Sequence, residues 1–183
     1  MKTVLHLRNA PARGFTLIEL MVVVTLVAVL SAIAVPGFRT LLLNQRLASS
    51  ISEFVAALSL ARAEALKRSQ TITLTSKAGK DWNSGWEVKG AIDGVPTTLR
   101  TFNALPAGVT VDPALGSAFN GKVSYDANGF SRNGDAYLMG CVALKAETGR
   151  RSAVVVSASG RPRVCDPDKK GDCGESKCAG SGS

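Results

Sequence analysis

Residues 14–38 read GFTLIELMVVVTLVAVLSAIAVPGF, and that stretch decides the fold. Glu19 carries the only charge between Phe15 and Phe38. Phe15 to Val35 is 21 residues, about 30 Å as a helix, enough to cross the hydrocarbon of a bilayer. A carboxylate in such a helix costs a few kcal/mol, so Glu19 requires a partner. Lys2, Arg8 and Arg13 precede Gly14 with no acid among them. By the positive-inside rule they hold residues 1–14 in the cytoplasm and send the rest of the chain across the membrane. A general secretory signal has its small-residue cleavage site after the apolar run. Here the Gly14–Phe15 junction lies before it, and cutting there leaves the whole apolar helix on the mature chain.

The chain has 183 residues and a formal charge of +8. Without Lys2, Arg8 and Arg13, 19 basic side chains face 14 acidic ones, a charge of +5. That is compatible with a polyanion partner and does not demand one. The single histidine, His6, lies in the leader. A mature chain without histidine has no Ser-His-Asp or Cys-His mechanism and none of the common His-containing zinc sites, so no enzyme, metal or cofactor is expected. Cys141, Cys165, Cys173 and Cys178 crowd the last 43 residues. Behind a membrane-targeting start an even cysteine count favours disulfides over a four-cysteine zinc site, which would show two close Cys-x-x-Cys pairs. Three pairings remain open.

Gly14-Phe15-Thr16-Leu17-Ile18-Glu19, with the basic leader and the apolar helix, resembles the type IV pilins and pseudopilins. The resemblance implies cleavage between Gly14 and Phe15 by prepilin peptidase, N-methylation of Phe15, and residence in the inner membrane with the C-terminal domain periplasmic. It implies assembly with other pilin subunits into a filament through this helix. It also supplies the partner of Glu19, the terminal amine of a neighbouring subunit. A buried carboxylate satisfied only on assembly would favour correct register.

Pro36-Gly37 should kink or locally melt the helix. Beyond it Leu43, Leu47, Ile51, Phe54, Leu58, Ala61 and Ala65 recur every three or four residues, an apolar stripe on a helix reaching about Lys67. Arg39, Arg46, Glu53, Arg62, Glu64, Lys67 and Arg68 fall off the stripe. After Ser69, β-rich runs predict strands at 71–76, 86–92, 98–102, 108–111, 122–126, 137–144, 152–156 and 161–165. The expected fold is α+β: a long N-terminal transmembrane-to-soluble α-helix packed on an antiparallel β-sheet. The organisation is a leader (1–14), a transmembrane and assembly helix (15–38), a pilin-like globular domain (39–165) and a flexible cysteine-containing tail (166–183). Trp82 and Trp86 are expected to close the core rather than stack a ligand. Asp126, Asn128, Asn133 and Asp135 lack calcium-loop spacing and read as turn residues.

Residues 54–65, Lys67-Arg68-Ser69, Trp82-x-x-Gly85-Trp86 and Gly160-Arg161-x-Arg163 resemble, in that order, the FimT/FimU and type II secretion H-subunit group. The resemblance covers residues 14–165 and implies a minor pilin at the filament tip that helps assembly. The alternative is a type II secretion minor pseudopilin. Between Lys145 and Val164 stand Lys145, Arg150, Arg151, Arg161 and Arg163 against Glu147 alone, a local charge of +4. On an extended segment Arg161 and Arg163 point the same way about 7 Å apart, near the phosphate spacing of one DNA strand. The Gly160-Arg161-Pro162-Arg163 stretch is similar to a Gly-Arg-x-Arg element of FimT-type minor pilins linked to DNA capture in natural transformation. Carried over, Arg161 and Arg163 become candidate contacts to double-stranded DNA, supported by Arg150, Arg151 and Lys145. Edge protection and solubility would also account for these charges.

Overall fold

The computed structural model describes residues 14–92, 94–115, 119–174 and 178. The leader, apart from Gly14, and tail residues 175–177 and 179–183 lie outside the described residues. The chain divides into two compact units after Arg39.

Helix α1 runs from Leu17 to Arg68, 52 residues. Its start is capped by Thr16, whose Oγ1 accepts the Glu19 N–H at 3.2 Å. The expected melted stretch at Pro36 is not found, and α1 continues through it. Proline withdraws one donor while the turns on either side keep theirs, a loss that apolar membrane helices tolerate. The helix ends where Ser69 turns to φ 51° and the Gln70 N–H reaches the Ala65 carbonyl at 3.3 Å, a left-handed cap. Lys67 and Arg68 in the last turn complement the helix dipole.

In the unit beginning at Thr40, the seven stripe residues Leu43 to Ala65 are all buried. They meet strands β1 (Ile72–Ala78), β2 (Asp81–Ile92), β3 (Val95–Thr101), β4 (Val109–Val111), β5 (Lys122–Tyr125), β6 (Ser131–Asn133), β7 (Ala136–Tyr137), β8 (Gly140–Ala146), β9 (Arg151–Val156) and β10 (Pro162–Cys165). These form two antiparallel sheets, ordered β3-β2-β1-β5-β6-β7 and β10-β9-β8-β4. Strand β6 falls where no strand is expected, and β7 overlaps the expected 137–144 strand only at Tyr137. They are two or three residues long, too short to show an alternation.

Phe54 is the hub of the main core. Its ring meets Trp82 and Trp86 edge-on, with centroids 5.2 and 5.1 Å away, and Trp86 stacks on Phe102 at 6.0 Å. Both tryptophans are almost wholly buried, as their expected core role requires. Gly85 between them sits at φ 91°, and a Cβ there would come 2.7 Å from the Phe102 and Asn103 backbone. At the other turn, Asp126 accepts the backbone N–H groups of Asn128 and Phe130 and pairs with Arg132 at 2.8 Å. That is the turn chemistry expected there.

Strand β8 of the four-stranded sheet is buried on both faces. Along β8, Val142, Leu144 and Ala146 join the main core, while Cys141 and Ala143 join a second cluster with Ala153, Cys165, Cys173 and Cys178. The cysteines pair as Cys141–Cys178 and Cys165–Cys173. This selects one of the three pairings and places residues 166–174 in successive turns over the outer face of the sheet.

Candidate functional site

Gly14 and Phe15 are exposed just ahead of α1, with no atom within 4 Å of where a Gly14 Cβ would stand. Glu19 lies exposed on the first turn. Thr16 and Glu19 are spaced as a capping box, and the Thr16 half of it is made. That Thr-x-x-Glu spacing is a helix-start signal legible in the sequence. Helix α1 is long and apolar enough to cross a membrane, and its most apolar 18-residue window is wholly unburied. The Phe15 and Leu17 side chains remain 79% and 76% exposed. Apolar surface of this extent needs lipid or another apolar helix to cover it.

Strand register separates the five candidate cations. Lys145 pairs with Arg151, Cys141 with Val155, Arg163 with Val155, and Cys165 with Ala153. Alternation therefore puts Lys145, Arg151 and Arg163 on the outer face of the sheet, the face the tail covers. Arg151 and the register of Arg163 lie four residues apart along β9, about 13 Å at the rise of a strand. Arg161 precedes β10 and is exposed. Its N–H donates to Ser157 Oγ at 3.3 Å, and its carbonyl accepts the Ser157 N–H at 3.2 Å. Arg150 is exposed in the turn before β9. The structure brings Arg161 and Arg163 together at one end and Lys145, Arg150 and Arg151 at the other.

Acids from outside that stretch complete this face. Arg151 is hydrogen-bonded to Asp168, and its Nη1 stands 3.7 Å from Oδ2 of Asp112. Asp112 is only 1% exposed, and its Oδ1 accepts the Ala114 N–H at 2.8 Å. The Arg151 hydrogen bond holds the Asp168 carboxyl below the usual aspartate range, and the same contact raises Arg151. Both therefore stay charged at neutral pH. Lys145 and Arg151, like charges directly across two strands, would repel without these carboxylates. Arg163 Nη1 lies 3.9 Å from Asp172 Oδ1. Counting Asp112, Asp166, Asp168 and Asp172 with Lys169 and Lys170 lowers the local charge from +4 to +2. A window ending at Val164 misses these acids, because a loop closed by Cys165–Cys173 carries most of them back.

Gly160 is buried at φ 78°. A Cβ there would run into the Gly129 carbonyl and come within 3.0 Å of Tyr125 and 3.2 Å of Arg62 Nε. Arg62 also donates to the Gly129 carbonyl at 3.0 Å, and burial pushes the Tyr125 phenol up. This glycine seats the turn that presents Arg161 and Arg163, a structural task distinct from contact with any ligand.

A family profile described as type II transport protein GspH matches residues 50–160, more than half of the chain. The chain belongs to the GspH family. A profile for the prokaryotic N-terminal methylation motif matches residues 9–35, which covers the Gly14–Phe15 junction and Glu19. A fimbrial protein of Pseudomonas aeruginosa is 26% identical over 116 residues, 61% of this chain and 75% of that protein. The type IV major fimbrial protein FimA of Dichelobacter nodosus is 34% identical over 74 residues, 40% of this chain and 42% of that one. Among solved structures, the type IV minor pilin FimU of Pseudomonas aeruginosa superposes with a TM-score of 0.57 at 21% identity, over 71% of this chain and 96% of that one. The minor pseudopilin EpsH of the Vibrio cholerae type 2 secretion system superposes at 0.50 and 14% identity, over 68% and 99%. These likenesses establish the pilin-like fold. Members of the GspH family are pilin and pseudopilin structural subunits, and the methylation motif with its apolar helix fits a membrane-anchored subunit.

Proposed function

We propose that this GspH-family chain is a minor pilin of a type IV pilus. In this reading prepilin peptidase cuts between Gly14 and Phe15, Phe15 is N-methylated, and the exposed apolar part of α1 holds the subunit in the inner membrane. The same helix then packs among other pilin helices in the filament, where the chain serves assembly at the tip. The observation that carries the proposal is the wholly unburied apolar window of α1 directly behind the cleavage junction, with Glu19 on its first turn. The resemblance of FimU supports the pilus. The resemblance of EpsH and the GspH profile favour a second reading, a minor pseudopilin acting in type II secretion. Cells lacking the gene should lose sheared surface pili and keep their secreted proteins. Intact pili with secreted enzymes trapped in the periplasm would assign the chain to secretion instead.

A secondary role is sequence-independent binding of double-stranded DNA for uptake in natural transformation, supported by the exposure of Arg161 and Arg163, two residues apart in the chain. Lys145 and Arg150 add field, whereas Arg151 is committed to Asp112 and Asp168. Full-length protein in nonionic detergent should bind a labelled duplex weakly and salt-dependently. Arg161→Ala with Arg163→Ala should weaken binding about tenfold and flatten the salt slope by about 2, one phosphate contact for each arginine. Equal affinity in the double variant would remove DNA from the account.

A further inference from the structure

We propose that Asp172 is a built-in counter-anion for Arg163 and sets the anion preference of this face. The inference rests on the DNA reading above and adds a specificity residue to it. Asp172 Oδ2 accepts the Asp166 N–H at 2.7 Å, which fixes the carboxylate, while Oδ1 points at Arg163 Nη1 3.9 Å away. The surrounding loop is held at three places. Cys165–Cys173 closes it, the Asp172 N–H reaches the Lys169 carbonyl at 3.1 Å, and Asp168 ties it to Arg151. Asp172 is therefore a fixed negative charge beside the guanidinium, outside hydrogen-bond reach of it.

The pair is open to water, with the Arg163 and Asp172 side chains 55% and 35% exposed, so it is weak and displaceable. Tethering nevertheless gives the carboxylate a high effective concentration. A small anion with one point of contact competes poorly against it. A polyanion competes well, because it displaces Asp172 at Arg163 while neighbouring phosphates engage Arg161, and further along the face Lys145 and Arg150. The loop thus filters out single anions and admits a charged strand.

The test compares duplex affinity of full-length protein at low salt for the wild type, Asp172→Asn and Glu87→Gln. Asparagine keeps an oxygen for the Asp166 N–H, so the loop survives. Glu87, paired with Lys89 on β2, supplies the same change in net charge away from the tail. Asp172→Asn should tighten binding about three- to tenfold, because the phosphate at Arg163 no longer has to displace a tethered carboxylate. Glu87→Gln should change affinity less than twofold. Inorganic phosphate should compete with the duplex more effectively in Asp172→Asn than in the wild type. The gain must vanish when Arg163→Ala is added. An Asp172→Asn effect no larger than that of Glu87→Gln, or one that persists without Arg163, overturns the assignment. Wild-type binding lost on replacing Arg161 and Arg163 would keep the DNA reading even then. Binding by none of the variants would overturn both.

Discussion

Glu19→Gln should leave membrane insertion intact and cut incorporation into filaments tenfold or more. Removing a charge from an apolar helix makes insertion easier, so the effect belongs to assembly. In the proposed filament the Glu19 carboxylate meets the terminal amine of a neighbouring Phe15 inside the packed apolar helices. Removing one partner of a buried pair leaves the other uncompensated, a loss of about 3–5 kcal/mol. At about 1.4 kcal/mol for each factor of ten, one such contact per subunit is enough to exclude the variant. The measurement is the ratio of the chain in sheared filaments to the chain in membranes. The capping role of this turn offers a sharp contrast. Glutamine serves as well as glutamate at the third position of a capping box, so a Glu19 needed only to cap α1 would make the substitution silent. Normal incorporation would sink the pairing account.

Phe54→Ala should be the most damaging substitution in the globular unit. Phe54 is 2% exposed, and its ring is the edge partner of both Trp82 and Trp86. Truncating a buried phenylalanine costs about 3–5 kcal/mol, because the cavity cannot collapse. The lost edge contacts are worth about 0.5–1.5 kcal/mol each beyond area. At about 2–4 °C per kcal/mol for a domain of this size, the melting temperature should fall by about 10 °C or more. Thermal unfolding followed by circular dichroism would read it. Phe130→Ala, at a ring 37% exposed, should cost far less and serves as the comparison. A fall below about 2 °C for Phe54→Ala would mean that the aromatic cluster is not the keystone of this core.

Much of the fold was legible because its signals are local. The stripe Leu43 to Ala65 is a helical period, and all of it is buried. The strands found at β1, β2, β3, β4, β5, β8, β9 and β10 overlap stretches with alternation or β-branched runs. Strand β6, and β7 apart from Tyr137, were not legible, since their lengths fall below one full alternation. Trp82-x-x-Gly85-Trp86 announced a tight aromatic turn, and Gly85 at positive φ is its physical basis. At Pro36 the melted alternative is not found, because the local penalty is outweighed by the rest of a 52-residue helix.

The candidate site was legible by half. Gly14, Phe15 and Glu19 are neighbours in the chain, so the motif they form is readable without the fold. The basic C-terminal face reads differently once folded. Counting charges between Lys145 and Val164 treated the cations as one patch, whereas register places them at two ends of a sheet face with acids between.

By itself, then, the sequence determined the long apolar helix, the N-terminal methylation motif, the helix-on-sheet class and the family, because each rests on periodicity or on contiguous residues. Only the tertiary structure decided the division into two sheets, the pairing Cys141–Cys178 and Cys165–Cys173, and the meeting of Asp112, Asp168 and Asp172 with Arg151 and Arg163. Those contacts join residues 9 to 39 positions apart across a strand register and two disulfides. A change of register by one residue would turn Arg151 and Arg163 to the other face, away from these acids.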